Sequence, residues 1–467
     1  MSEKTIGKEM LEKLAYKKKN VFEEADADKI KAIYDYSNGY MEYLDKAKTE
    51  REAVDYSIEL AEKSGYSEYK LGEKLSVGDK KYYNNHGKSL IVFTVGENDI
   101  EKDGIRIIAS HIDSPRLDLK QVPMYEDSGM GFFKTHYYGG VKKYQWTAIP
   151  LALHGVMIKK NGESVNVVIG EKDTDPVFYI NDLLPHLGAK QSAEPLGTAI
   201  SGESLNILYG GLPYDDSEVS DKIKLTALSY LYENYGVTEE DFLSAELSLV
   251  PAFKARNVGF DGALIAAYGH DDRVCSYPAL TALLNTPNTK RTAMVVLADK
   301  EEVGSMGITG MQSDILVDII EEISTSLGKN SRVVRRNSKC LSADVNAAFD
   351  PNFADVYEKR NSAIISCGTV LSKYTGARGK SGTSDASAEF MGKIRRLFNE
   401  NGVVWQVGEL GKVDEGGGGT VAKYVAYHNI DVVDVGVPVL SMHAPYEVIS
   451  KIDLYMAYKG FLTFFTK

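Results

Sequence analysis

The chain has 467 residues, 43% hydrophobic and 26% charged, with a net charge of -12 at pH 7. That length exceeds one ordinary core, so a soluble protein of two domains is expected. The acidic balance, with no long Lys/Arg run, argues against nucleic acid or an anionic membrane as partner. No apolar run nears the ~20 residues of a membrane helix. Three cysteines far apart, Cys275, Cys340 and Cys367, fit a reducing cytoplasm better than a disulfide framework. Met1-Ser2-Glu3-Lys4 opens without the apolar stretch of a signal peptide, so a cytoplasmic location is expected.

In chain order, residues 1 to about 66 read as helical. Asp28 is placed to cap a helix with Ile30, Ile33, Tyr34, Met41 and Leu44 on one face. Thr49 and Glu52 form a capping-box pattern before a second helix with Val54, Ile58 and Leu60. Strands are expected over 89–95 and 104–110, the second ending at His111. From 113 to 252 the texture changes to short β-like runs, such as 165–169, among glycine-rich turns. It closes on the alternation of 246–251, and we read an inserted β-rich domain. The flanking segments, 1–112 and 253–467, form the other domain.

From Gly259 onward, strands alternate with helices. A helix follows Asp271-Asp272-Arg273, a strand climbs to Ala298, a helix runs through 314–320, and a strand precedes Asp344. Thr383 or Ser384 is placed to cap a helix through Phe390, Ile394 and Leu397. Strand material over 431–440 leads into His443. The expected fold is α/β, a mixed, largely parallel sheet covered by helices on both faces.

The chemistry gathers at strand ends, where open α/β sheets assemble their sites. Val295–Ala298 runs into Asp299-Lys300-Glu301-Glu302 and then Gly304. At such a bend two adjacent carboxylates can enter one cleft from different angles, one binding a metal and one free as a base. His111, Asp271, Asp344 and His443 also stand at strand ends or strand-to-helix turns. Asp113, two residues past His111, is placed to grip its far ring nitrogen. Two histidines and three carboxylates suit a pair of divalent metal ions, with zinc favoured and cobalt or manganese as alternatives. Taken singly, each signal is poor: a strand-end histidine is more often a satisfied polar residue, and Asp-Asp before a helix is usually a cap.

Together, Ser110-His111-Ile112-Asp113-Ser114-Pro115-Arg116, His270-Asp271-Asp272-Arg273, Asp299 to Ser305, Ser342-Ala343-Asp344 and Met442-His443 resemble the M18 aminopeptidases, the aspartyl aminopeptidase family. The resemblance implies a zinc-exopeptidase-like fold whose insert mediates dimerisation, assembled into a homo-oligomer, typically a dodecamer built from dimers. It implies that His111 and Asp344 bind one zinc, Glu302 and His443 the other, and that Asp271 bridges them. Glu301 would be the general base, and the substrates peptides with a free, acidic N-terminal residue. Lys373 falls near a family lysine of the substrate side-chain pocket. His186 falls near a histidine of the insert that would reach a partner subunit's active site. The family often has histidines soon after the Asp344 position, and here Val345 to Asn352 holds none. The family pattern also suggests a cis bond between Asp271 and Asp272, with Arg273 a candidate partner for Asp272. Competing readings are an M42-type glutamyl or leucyl aminopeptidase, an M20-type deacylase, and a non-catalytic scaffold.

Overall fold

The computed structural model describes residues 5–287 and 290–467. The apolar runs become the centre of a nine-stranded mixed sheet. Its middle consists of four mutually parallel strands in the order Ala293–Ala298, Arg106–His111, Lys339–Ser342 and Asp431–Gly436. Side chains on a strand alternate between faces. Val295, Leu297 and Ile108 enter a core shared with Leu280 and Phe461, while Met294, Val296, Ile107 and Ala109 enter one shared with Ile319, Val334 and Val425. Burial on both faces explains why these strands are continuously apolar; each such side chain contributes about 1.5–3 kcal/mol. Antiparallel strands Ser89–Thr94 and Thr369–Ser372 border the parallel centre on its two sides.

Residues 116–251 build a separate six-stranded antiparallel sheet with its own core around Trp146, Leu153, Phe242 and Leu249. Buried pairs tie this unit to the helix Glu50–Lys63: Arg116 lies 2.9 Å from Glu50 and His154 2.7 Å from Glu52. The Thr49–Glu52 capping box is present in both directions, at 3.3 and 3.0 Å.

The structure moves two caps and divides one strand. Asp26, not Asp28, caps the helix Ala27–Lys46, accepting from the Lys29 amide at 2.8 Å. A cap needs extended backbone, and Asp28 is already inside the first turn. Ser387 caps Ala388–Glu400, whereas Thr383 accepts the Thr375 amide in a preceding turn. The run 431–440 splits at Val437. Its first part lies in the large sheet, and Pro438–Leu440 joins a five-stranded sheet with Arg256–Val258, Leu264–Ala267, Glu447–Ser450 and Asn346–Ala347. No helix among the described residues is long and apolar enough to cross a membrane.

Where the chain crosses between sheets, Gly436 lies against the backbone of Asp344, and a Cβ there would come within 1.6 Å of the Asp344 carbonyl oxygen. Gly436→Ala is therefore expected to cost about 1–3 kcal/mol, as overpacking does. It should also displace Asp344. A lowered melting midpoint together with weakened metal retention is the expected readout; an unchanged midpoint would show that the contact relaxes freely.

Candidate metal centre and active site

The two sheets meet at a cluster of carboxylates and imidazoles. The large sheet delivers His111 at the end of its strand and Asp344 two residues beyond Ser342. The small sheet delivers Asp271 beyond Leu264–Ala267 and His443 between Pro438–Leu440 and Glu447–Ser450. Glu301 and Glu302 occupy one turn bounded by Lys300 and Gly304, both left-handed, with φ of 68° and 97°. Those two reversals turn the chain back at the strand end, so both carboxylates line the same cleft.

Two donor groups result. His111, Asp271 and Asp344 form one, and Asp271, Glu302 and His443 the other, with ligand atoms in each within 4.8 Å of one another. His111 Nε2 lies 3.1 Å from Asp271 Oδ1 and 3.8 Å from Asp344 Oδ1. His443 Nε2 lies 3.1 Å from Asp271 Oδ2 and 3.4 Å from Glu302 Oε1. Asp271 thus presents one oxygen to each group.

The imidazole tautomers follow from hydrogen bonding. His111 Nδ1 meets the Asp113 carbonyl at 3.0 Å, and His443 Nδ1 meets the Gly140 carbonyl at 3.0 Å. A carbonyl only accepts, so each Nδ1 carries a proton. Each Nε2 then faces carboxylate oxygens, an arrangement that needs positive charge between them, either a proton on Nε2 or a metal ion in its place. Buried Asp271 Oδ1 and Glu302 Oε1 have no hydrogen-bond partner, which is the same signature. Mixed nitrogen and oxygen donors without thiolate fit zinc.

The electrostatics agree. Burial pushes Glu302 well above the usual carboxylate range, and the charge of Asp271 adds to it. Burial raises Glu301 to about 8; His111 works against it, while Asp344, Asp271 and Asp113 add to it. Burial disfavours the His443 cation, yet Asp271, Glu302 and Glu447 together raise it to about 10. This is a site built around positive charge.

Asp113 and Glu447 hold the donors in place. The Asp113 carboxylate accepts the Glu301 amide at 3.1 Å, the Glu302 amide at 3.2 Å and the Tyr138 hydroxyl at 2.8 Å. It also lies 3.3 Å from His111 Nδ1. Glu447, which sequence reasoning missed, accepts the His443 amide on Oε1 at 2.7 Å and the Asp271 amide on Oε2 at 3.1 Å. The spacing His443-x-x-x-Glu447 is the signal that was there to find.

The neighbouring aspartate behaves differently. The Asp271–Asp272 bond is cis. Asp272 is fully buried and does not pair with Arg273, whose guanidinium donates to the Lys48 carbonyl at 2.9 Å and lies over the Tyr268 ring. His270 is a core residue, held by Tyr40 and the Ile265 carbonyl, and burial lowers it to about 3.

A cavity of about 450 Å³ opens on this cluster. Asn346, Tyr374, Lys423 and Met442 help line it. Lys373 does not line it; its ammonium pairs with Asp385. His186 lies exposed on a short turn of the insert, outside the cavity of its own subunit.

A family profile described as aminopeptidase I zinc metalloprotease (M18) matches residues 43–465. The chain belongs to the M18 aminopeptidase family. A probable M18 family aminopeptidase 1 of Clostridium acetobutylicum is 47% identical over 96% of this chain and 97% of its own length. The crystal structure of an M18 aminopeptidase from Thermotoga maritima superposes with a TM-score of 0.92 at 42% identity, covering 97% of this chain and all of that one. A yeast (S. cerevisiae) structure described as the mApe1 dodecamer has a TM-score of 0.75 at 25% identity, covering 92% of this chain and 95% of that one. The chain is thus an M18 aminopeptidase, a zinc metallopeptidase.

Glu447→Gln keeps the size of the side chain but replaces one amide acceptor with a donor. Removing such an outer support typically costs 10–100-fold in metal affinity. Zinc competition against a chromophoric chelator should show a loss of about that size. An affinity equal to the parent's would mean that the backbone alone positions Asp271 and His443.

Proposed function

We propose that this aminopeptidase uses two divalent ions, zinc in the first instance, to remove the N-terminal residue of peptides, with a preference for Asp or Glu. The supporting observation is the pair of donor groups sharing Asp271, with Glu301 beside them in the cavity but in neither group. His111 and Asp344 would hold one ion, Glu302 and His443 the other, and Asp271 both. Zinc, when bound, lowers the pKa of water and polarises the scissile carbonyl. Glu301 takes the proton of the attacking water and returns it to the leaving amine. Asp113 fixes the Glu301 and Glu302 backbone, so the base keeps its position through both transfers.

The acidic preference rests on Lys423. It is the lysine that lines the cavity, and it has no carboxylate partner among the described residues; its ammonium stands over the Tyr424 ring, 4.9 Å from the centroid. Lys373, already neutralised by Asp385, is the weaker candidate.

The unit 113–252 would serve self-association. It has its own core, yet leaves Leu183, Leu184, Leu187, Leu196 and Leu212 exposed. Such patches mark interfaces. A dodecamer would match the yeast structure described as one; its construction from dimers, and His186 reaching a partner's cleft, are what the resemblance to the family implies. The three cysteines are buried and free, as a cytoplasmic setting would keep them.

Three measurements test this reading. Glu301→Gln should retain metal but lower turnover by about 10²–10⁴, the usual worth of a general base. Loss of metal with normal turnover per bound ion would exchange the roles of the two glutamates. Chelation should abolish turnover of unblocked Asp, Glu and Leu peptides, and zinc should restore it; activity surviving complete metal removal would end the two-metal proposal. Lys423→Gln should raise KM for Asp and Glu substrates roughly tenfold, the worth of one charge-assisted hydrogen bond, while sparing Leu substrates. An equal effect on all three would remove Lys423 from selectivity.

A further inference from the structure

Arg106 and His111 are the first and last residues of one strand. The far end of the strand that delivers His111 opens on a second cavity of about 470 Å³. The helix Ala388–Glu400, the C-terminal helix Lys451–Thr466 and the approach to Ala293–Ala298 wall it. Arg106, Arg291, Lys393, Arg396 and Lys467 line it, against one carboxylate, Glu400. In a chain of net charge -12, that gathering of cations runs against the overall balance.

Their partners do not account for the charge. Arg106 is only 7% exposed, and among the described residues its guanidinium makes no hydrogen bond or ion pair. Its recorded contact is the Phe464 ring, 5.4 Å from the centroid. The residue is largely buried, yet its guanidinium nitrogens are not sealed off, so the charge faces the cavity without a carboxylate bonded to it. Lys393 likewise has no carboxylate partner among the described residues. Arg291 is already engaged, donating to the main-chain oxygen of Lys467 at 2.6 Å and lying 3.8 Å from Asp103. Arg396 lies 4.0 Å from Glu400, both largely exposed. Nearby Lys339 is neutralised by Asp431 at 2.8 Å. Burial and Arg291 lower Arg106 to about 10, and burial with the surrounding cations lowers Lys393. Asp103 opposes the shift of Arg106, but less than Arg291 drives it, so cationic neighbours prevail around both groups.

We propose that this cavity binds a phosphate-type oxyanion, held from within by Arg106 and from the rim by Lys393. The planar guanidinium fork matches phosphate oxygens two at a time, and an ammonium adds a movable point charge. The Phe464 ring lies against the Arg106 guanidinium and takes up none of its N–H donors. The volume suits a phosphate group or a small molecule bearing one.

The test is a calorimetric titration of the metal-loaded protein at constant ionic strength. An amino-acid hydroxamate first blocks the metal centre, so that phosphate cannot register there. The probes are inorganic pyrophosphate and glycerol 3-phosphate, which separate a free anion from an esterified one. Saturable binding of either at one site per chain is expected, weakened at least tenfold by Lys393→Gln and by Arg106→Gln. Lys393 stands at the exposed rim, so its variant keeps the test decisive where Arg106→Gln lowers the melting midpoint. No saturable binding of either probe overturns the proposal, whether the cavity stays open or a second copy covers it. Binding that survives both substitutions overturns it equally.

Discussion

The organising constraint is the repulsion among buried carboxylates. Asp271, Asp344 and Glu302 converge within one cluster, with Glu301, Asp113 and Glu447 against it. Two like charges 4 Å apart cost about 4 kcal/mol even at an effective dielectric of 20. A cluster of that kind cannot stay ionised without cations. The surrounding fold accepts this cost in the protein chain and leaves its relief to bound metal. The two imidazoles, each with its Nε2 turned inward, complete the requirement.

Two sheets share the work of holding the cluster. The large sheet is rigid because its central strands are buried on both faces. It fixes His111 and the approach to Asp344. The small sheet brings Asp271 and His443 to the other side, and Glu447 clamps their amides to each other. Asp113 does the equivalent for Glu301 and Glu302. Each clamp is a carboxylate accepting backbone N–H groups, so it positions the donors through the main chain and leaves their side chains free for metal. Such supports tune a metal site as strongly as the ligands do.

What could be read from the sequence depended on the length of the elements. Arg106–His111 and Ala293–Ala298 have six residues each and are largely apolar, so their ends, and with them His111, Glu301 and Glu302, stood out by position; Asp344 follows a strand of four residues and stood out through the family pattern. The capping box at Thr49 and Glu52 is a local rule and was legible for the same reason. The small sheet was not legible, because its strands have two to four residues and carry no period. Glu447 was hidden with it. Lys423 was missed because it lies on a short helix, Ala422–Tyr427, and only the tertiary structure turns that helix toward the cleft. Asp26 and Ser387 were displaced by two to four residues from the caps expected, since several capping residue types stood side by side.

His443 is oriented by the Gly140 carbonyl, and Asp113 receives the Tyr138 hydroxyl; both partners belong to the antiparallel unit or its edge. The same unit is bound to the helix Glu50–Lys63 through buried charge. If this unit carries the proposed subunit contacts, reactivity and quaternary contact share a mechanical element. A force that shifts the outer sheet by a fraction of an ångström is transmitted to an imidazole without passing through the main core. By linkage, whatever stabilises one placement of that sheet changes the affinity of the ions, and filling the ion sites resists displacement of the sheet by the same free energy. In the proposed assembly, ion loading and subunit association would be coupled equilibria, and a measurement of either made without controlling the other would report on both.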